Sequence, residues 1–176
     1  MRSSAPIHRR KFANAWDEIG YLYDKLLYWL YCRHDTTKAR LYAVRLELLL
    51  RKASPDHQAI LGEECWSLIY EARGDLRAAI LHRENEIRLI RQLHDMVREL
   101  PETKWLLKEY SYSDLSDRLD LLATLYHEKG DLDKATETLE ESKRLCGAHG
   151  IKFDGRALLK EYRNENRTSP ELRMPA

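Results

Sequence analysis

Turn-forming residues are scarce in this chain of 176 residues: 7 glycines and 5 prolines. That argues against architectures built from many short strands and long loops. Cysteine is scarcer still. Cys32, Cys65 and Cys146 are odd in number and far apart, which excludes a disulfide framework and predicts a reducing compartment. Cys32 and Cys65 sit among apolar helical residues, and both are expected to be buried. Long apolar runs are missing too. The longest, LLYWLYC (Leu26–Cys32), is far too short to span a bilayer. The opening MRSSAPIHRRKFANAW lacks the apolar core of a secretory signal. A soluble, cytoplasmic protein without a membrane partner is expected. Charge of one sign is lacking as well: 30 basic against 29 acidic residues give a formal net charge of +1. A dedicated nucleic-acid binder usually carries a clear positive excess.

What remains is a charge-rich composition with 34% charged and 43% apolar residues. The length suits one sizeable core. Within it one phrase recurs. YEARGDLRAA runs from Tyr70 to Ala79, and YHEKGDLDKA from Tyr126 to Ala135. LYCRHDTTKA, from Leu30 to Ala39, fits the same frame with His34 in the glycine slot. Each phrase reads as the end of one helix and the start of another. Gly adopts the left-handed conformation of a helix C-cap. Asp caps the next helix through its side-chain oxygen and suits the positive helix end. Ala one turn further in lets two antiparallel helices approach closely. The apolar spacing on both sides is helical. Ser113 is the expected cap of the helix before Gly130, and the helix after it is expected to stop at Gly147.

This phrase resembles the tetratricopeptide repeat. Leu26, Trp66 and Leu122 take that family's Trp/Leu slot, and Leu27, Ser67 and Ala123 its small slot. Ala43, Arg83 and Leu139 fall where the family prefers a bulky apolar residue, and only Leu139 conforms. His34 to Gly74 is 40 residues and Gly74 to Gly130 is 56, against a family period of about 34. The resemblance implies an all-α, right-handed stack of antiparallel helical hairpins, a TPR-like solenoid. About three hairpins are expected, over 11–55, 56–99 and 113–147, in one domain spanning 11–164. Pro101 opens a linking helix over 101–110 that packs on the long helices, and a helix over 154–164 caps the stack. Residues 1–10 and 165–176 read as disordered tails.

Motifs that carry chemistry are missing. The phosphate-binding, dinucleotide, zinc-hydrolase and nucleophile-elbow signatures do not occur. No catalytic residue, cofactor or metal is expected, and the chain does not read as an enzyme. Cys146 and His149 have the spacing of half a metal site, with no second pair to complete it. His82, His94 and Asp95 are expected on solvated surface. Glu84 stands four residues before Arg88, and Asp95 four after Arg91, which predicts ordinary surface ion pairs.

The resemblance further implies that the first helix of each hairpin lines a concave groove. Its positions are Tyr21, Asp24, Tyr28 and Tyr31 in the first hairpin, and Leu61, Glu64, Leu68 and Glu71 in the second. The third supplies Asp117, Asp120, Thr124 and His127. Asp24, Glu64 and Asp120 would lie one above another. The Asn and Lys clamp with which some family members hold a peptide's C-terminal carboxylate is missing. The resulting expectation is a scaffold that binds a protein or peptide partner containing Lys or Arg in an acidic and aromatic groove. A second expectation is a homo-oligomeric subunit associating through the aromatic N-terminal helix. A nucleic-acid adaptor, for which HRRK (His8–Lys11) and Arg77, Arg88, Arg91 and Arg98 are the basic candidates, is the third.

Overall fold

The computed structural model describes residues 12–51, 59–108 and 110–168, and every regular element among them is helical. They are α1 (Ala15–Leu27), α2 (Thr36–Leu50), α3 (Ala59–Arg73), α4 (Leu76–Glu99), α5 (Tyr112–Glu128), α6 (Leu132–His149) and α7 (Arg156–Thr168). A π-helical turn, Tyr28–Cys32, extends α1, and a 3-10 segment, Pro101–Lys108, follows α4. By contact the expected domain contains two compact units, Met1–Ser54 and Pro55–Ala176.

The recurring phrase is a recurring turn. Gly74 and Gly130 stand at φ 78° and 86°, and His34 takes the same left-handed region at φ 49°. The next residue's amide closes each turn: Asp75 N–H donates to Tyr70 O and Asp131 N–H to Tyr126 O, both at 2.9 Å. These bonds satisfy carbonyls that the helix end leaves open. The aspartates then cap the following helices. Asp35, Asp75 and Asp131 each accept from the backbone N–H three residues on, at 2.9, 3.1 and 3.3 Å. Ala39, Ala79 and Ala135 are all fully buried.

The first turn differs in one respect. Asp35 N–H reaches back to Trp29 O, six residues rather than five. The π-helical winding of Tyr28–Cys32 holds the extra residue. A non-glycine residue at positive φ adds about 1 kcal/mol of strain. Both features belong to the copy of the phrase in which glycine is replaced by His34.

Within the first unit, α1 packs on α2, and Glu18 accepts from Arg45 at 2.7 and 2.9 Å. Ile19, Leu22, Leu26 and Leu30 face inward with Ala39, Ala43 and Leu46. In the second unit the contact order follows the chain: α3 on α4, α4 on α5, α5 on α6 and α6 on α7. The register is antiparallel at each step. Ser67 Oγ donates to Ala79 O at 2.9 Å, and Glu63, one turn earlier, meets His82, one turn later. Ser116 meets Ser142 and Cys146, while Tyr112 stacks on His149. Arg163 reaches Glu140, and Asn166 reaches Asp133. The core of this unit runs through Ile87, Ile90, Leu119, Leu122, Leu139 and Tyr162.

Several boundaries differ from expectation. Ser111, not Ser113, caps α5, in a reciprocal capping box with Asp114. The helix α6 passes Gly147 and ends at Gly150, φ 66°. Of these two glycines, Gly150 takes the positive φ that a left-handed cap requires and Gly147 does not. The linking segment stops at Lys108 and is 3-10, and it packs on α4. The last helix starts at Arg156 and runs past 164 to Thr168, so 165–168 are helix, not tail. The remaining expected tails, 1–10 and 169–176, lie outside the described residues. Cys65 is buried as expected, but Cys32 is exposed because the π turn carries it to the hinge.

Candidate functional site

In the first unit, Tyr21 is half-buried, with Phe12 at 5.4 Å and Lys25 Nζ 5.6 Å from its ring. Asp24 is exposed, Tyr31 is half-buried, and Tyr28, 43% exposed, packs edge-on against Trp29. An extra residue in a helical turn rotates the rest of the helix by about 100°. Positions counted back from His34 across the π turn therefore do not share one face in the way positions on a plain α-helix do.

In the second unit the two carboxylates of the predicted column, Glu64 and Asp120, meet different fates. Glu64 is buried, and its Oε1 accepts from Arg118 Nη2 at 3.1 Å. Arg118 Nε also donates to Glu86 Oε1 at 3.1 Å, and Arg83 Nη1 to Glu86 Oε2 at 2.5 Å. Asp114 lies 3.9 Å from the same guanidinium of Arg118. Two arginines and two glutamates thus neutralise one another inside the unit. Burying charge is tolerated only on such terms. Burial pushes the Glu86 carboxyl up to about 7, against the pull of Arg83 and Arg118. Arg83 occupies the slot where a bulky apolar residue was expected; its stem fills that volume and its head finds Glu86. Glu64 is a structural carboxylate, and Leu68, fully buried, offers no surface to a partner. Leu61 and Glu71 are half-buried.

On α5, Thr124 Oγ1 donates to Asp120 O at 3.1 Å. His127 Nε2 lies 2.8 Å from Glu165, and its ring stacks on Tyr162 at 4.3 Å. His127 therefore belongs to the contact with α7. Asp117 is exposed and Asp120 is half-buried with Oδ1 shielded from solvent. Burial pushes the carboxyls of both above the usual range, and Asp154 pushes both further. With the half-buried Glu71, these are the carboxylates of the predicted groove that keep some acidic surface in this unit.

Other residues expected on solvated surface are built into contacts. His82 Nδ1 lies 2.7 Å from Glu63, and its ring stacks on Tyr70 at 5.3 Å and on Trp66 at 6.1 Å. His94 is buried, with Nε2 2.7 Å from Tyr110 O and its ring against Tyr112. Arg91 pairs with Glu141 rather than Asp95, Asp95 pairs with Arg98, and Glu84 accepts from Tyr126. Arg91 and Glu84 thus find partners on another helix, while Asp95 pairs three residues along its own.

Cys146 Sγ lies 3.0 Å from Ser116 Oγ, while the His149 ring stacks on Tyr112, so this pair does not converge on one point. No group of three or more possible metal ligands occurs among the described residues. Burial and the neighbouring Glu64 and Glu86 push the Cys65 thiol far above its ordinary range, which keeps it protonated.

Two surfaces were not anticipated. Leu41, Val44 and Leu48 on α2 are 67%, 51% and 52% exposed, spaced to form one apolar stripe. The signal stood in ARLYAVRLELLL (Ala39–Leu50), which carries more apolar residues than one buried face needs. The second surface is a cleft between α6 and α7 bordered by Lys143, Arg156, Lys160 and Arg163. Among the described residues no helix is long and apolar enough to cross a membrane. No protein-family model matches this chain, and no curated protein or solved structure matches it.

Proposed function

We propose that this chain is a non-enzymatic interaction module resembling tetratricopeptide proteins, built of antiparallel helical hairpins with α7 as the cap, that binds a protein partner. The observation that carries the reading is the turn built three times from the same parts: a left-handed hinge, a capping Asp and a buried Ala. Repeated hairpins of this kind generate extended surfaces for partners. The partner contributes Lys or Arg to the α5 face, where Asp117, Asp120 and Asp154 repel one another and a cation relieves that repulsion. Such pairing sets specificity and on-rate.

The test is affinity capture from the native host, followed by direct titration of the captured protein onto the purified chain. Asp117→Lys with Asp120→Lys is expected to weaken that binding at least tenfold while leaving the circular dichroism spectrum unchanged. Glu64 is left intact in this variant, because Lys there would meet Arg118 inside the unit. Equal binding by the wild type and the double variant removes the α5 face from the proposal.

The apolar stripe on α2 favours a second reading, self-association through the first unit. The surface differs from the aromatic first helix expected from sequence, on which Tyr28 is 43% exposed and Tyr21 and Tyr31 are half-buried. Sedimentation velocity across a concentration series is expected to show a dimer that Leu41→Glu and Leu48→Glu abolish. A monomer at every concentration discards this reading.

A further inference from the structure

The cleft between α6 and α7 has a volume of about 610 Å³. Its floor is apolar: Phe153 and Leu159 are 7% and 4% exposed. Four cationic side chains border it, Lys143, Arg156, Lys160 and Arg163, and no carboxylate does. Arg163 bonds to Glu140 at 2.7 and 3.2 Å. Among the described residues, Lys143, Arg156 and Lys160 have no ion-pair partner.

Acids and bases are nearly equal in number overall, and several arginines, among them Arg45, Arg51, Arg91, Arg98 and Arg118, sit against carboxylates. Three uncompensated cations around one apolar floor are therefore a local excess in a balanced protein. A cleft of one sign concentrates field and attracts the opposite charge.

We propose that this cleft binds a short acidic peptide segment of a partner protein, with carboxylates on Arg156, Lys160 and Lys143 and one apolar side chain on Phe153 and Leu159. The floor selects a peptide over a simple anion, because phosphate leaves the apolar surface unused. The surroundings select it over nucleic acid. Exposed Asp154 and Glu161 adjoin the basic residues in sequence, and they interrupt the continuous cationic track that a phosphodiester backbone needs. The residues that line this surface do not include Asp117 or Asp120.

The experiment uses the full chain and an array of twelve-residue peptides rich in Glu and Asp, each carrying Leu or Phe at one varied position. Fluorescence anisotropy then measures the strongest binders. Arg156→Glu and Lys160→Glu are each expected to weaken binding at least tenfold, and Ala in place of the peptide's apolar residue several-fold. Arg156→Gln and Lys160→Gln, which add no like-charge repulsion to the helix, are expected to weaken it by a smaller factor in the same direction. Asp117→Lys with Asp120→Lys is expected to leave it unchanged, which separates failure of this site from failure of the α5 face. An array with no binder overturns the proposal. So does equal binding by the Glu and Gln variants, or tighter binding of a twenty-nucleotide thymidine strand or of inorganic phosphate at the same residues.

Discussion

Arg118→Met will destabilise the protein by about 3–5 kcal/mol at mildly alkaline pH, the usual cost of removing one partner from a buried ion pair. Arg118 donates to both Glu64 and Glu86. Without it, Arg83 faces two buried carboxylates with one charge. Methionine keeps much of the stem's volume, so the loss reports charge rather than a cavity. Chemical denaturation with the slope held in view is the measurement, since a changed slope would signal a different unfolded state.

The pH dependence sharpens this expectation. In the fold the Glu86 carboxyl sits at about 7, against 4.5 ordinarily, with burial as the largest cause. Between those two values the native state holds the proton more tightly than the unfolded chain. Stability from this residue is therefore complete below about 4.5 and is lost as pH rises through about 7. Wild-type stability will fall relative to Glu86→Gln across that window, and the loss caused by Arg118→Met will shrink on acidification, as Glu86 takes up the proton. Parallel profiles for wild type and Glu86→Gln between about pH 5 and pH 8 would show that Glu86 stays ionised and that its two arginines outweigh burial.

The hinges were legible in the sequence because a hinge is local chemistry. Gly or a tolerant residue at positive φ, an acid three residues before an amide, and Ala one turn on are all decided within ten residues. Glu64, Glu86, Arg83 and Arg118 show where such reading stops. Each looks like an ordinary charge on a charge-rich helix, and only the packing of α3, α4 and α5 brings them together. Arg83 gave a partial signal by standing in an apolar slot. His127 and Thr124 illustrate a second limit. A groove frame taken from a family assumes what covers each face, and here α7 meets the face that carries His127. The π turn after Leu27 marks a third, since nothing in YWLYC announces the extra residue.

Ala135→Leu will cost about 1–3 kcal/mol by overpacking. Ala135 is fully buried one turn into α6, close behind the Asp131 cap. Three added carbons there must push α6 from α5 or force strained rotamers, because Leu139 and Ala123 are fully buried in the same core. For a chain of this size each kcal/mol lowers Tm by about 2–4 °C. Ala148→Leu on the exposed side of the same helix controls for helix propensity and is expected to stay within about 0.5 kcal/mol. Ala79→Leu tests the same geometry in the preceding hairpin, where Ser67 bonds to the Ala79 carbonyl. If Ala135→Leu and Ala148→Leu melt together, α5 and α6 do not approach at Ala135, and the repeated alanine is not what sets the spacing of the hairpins.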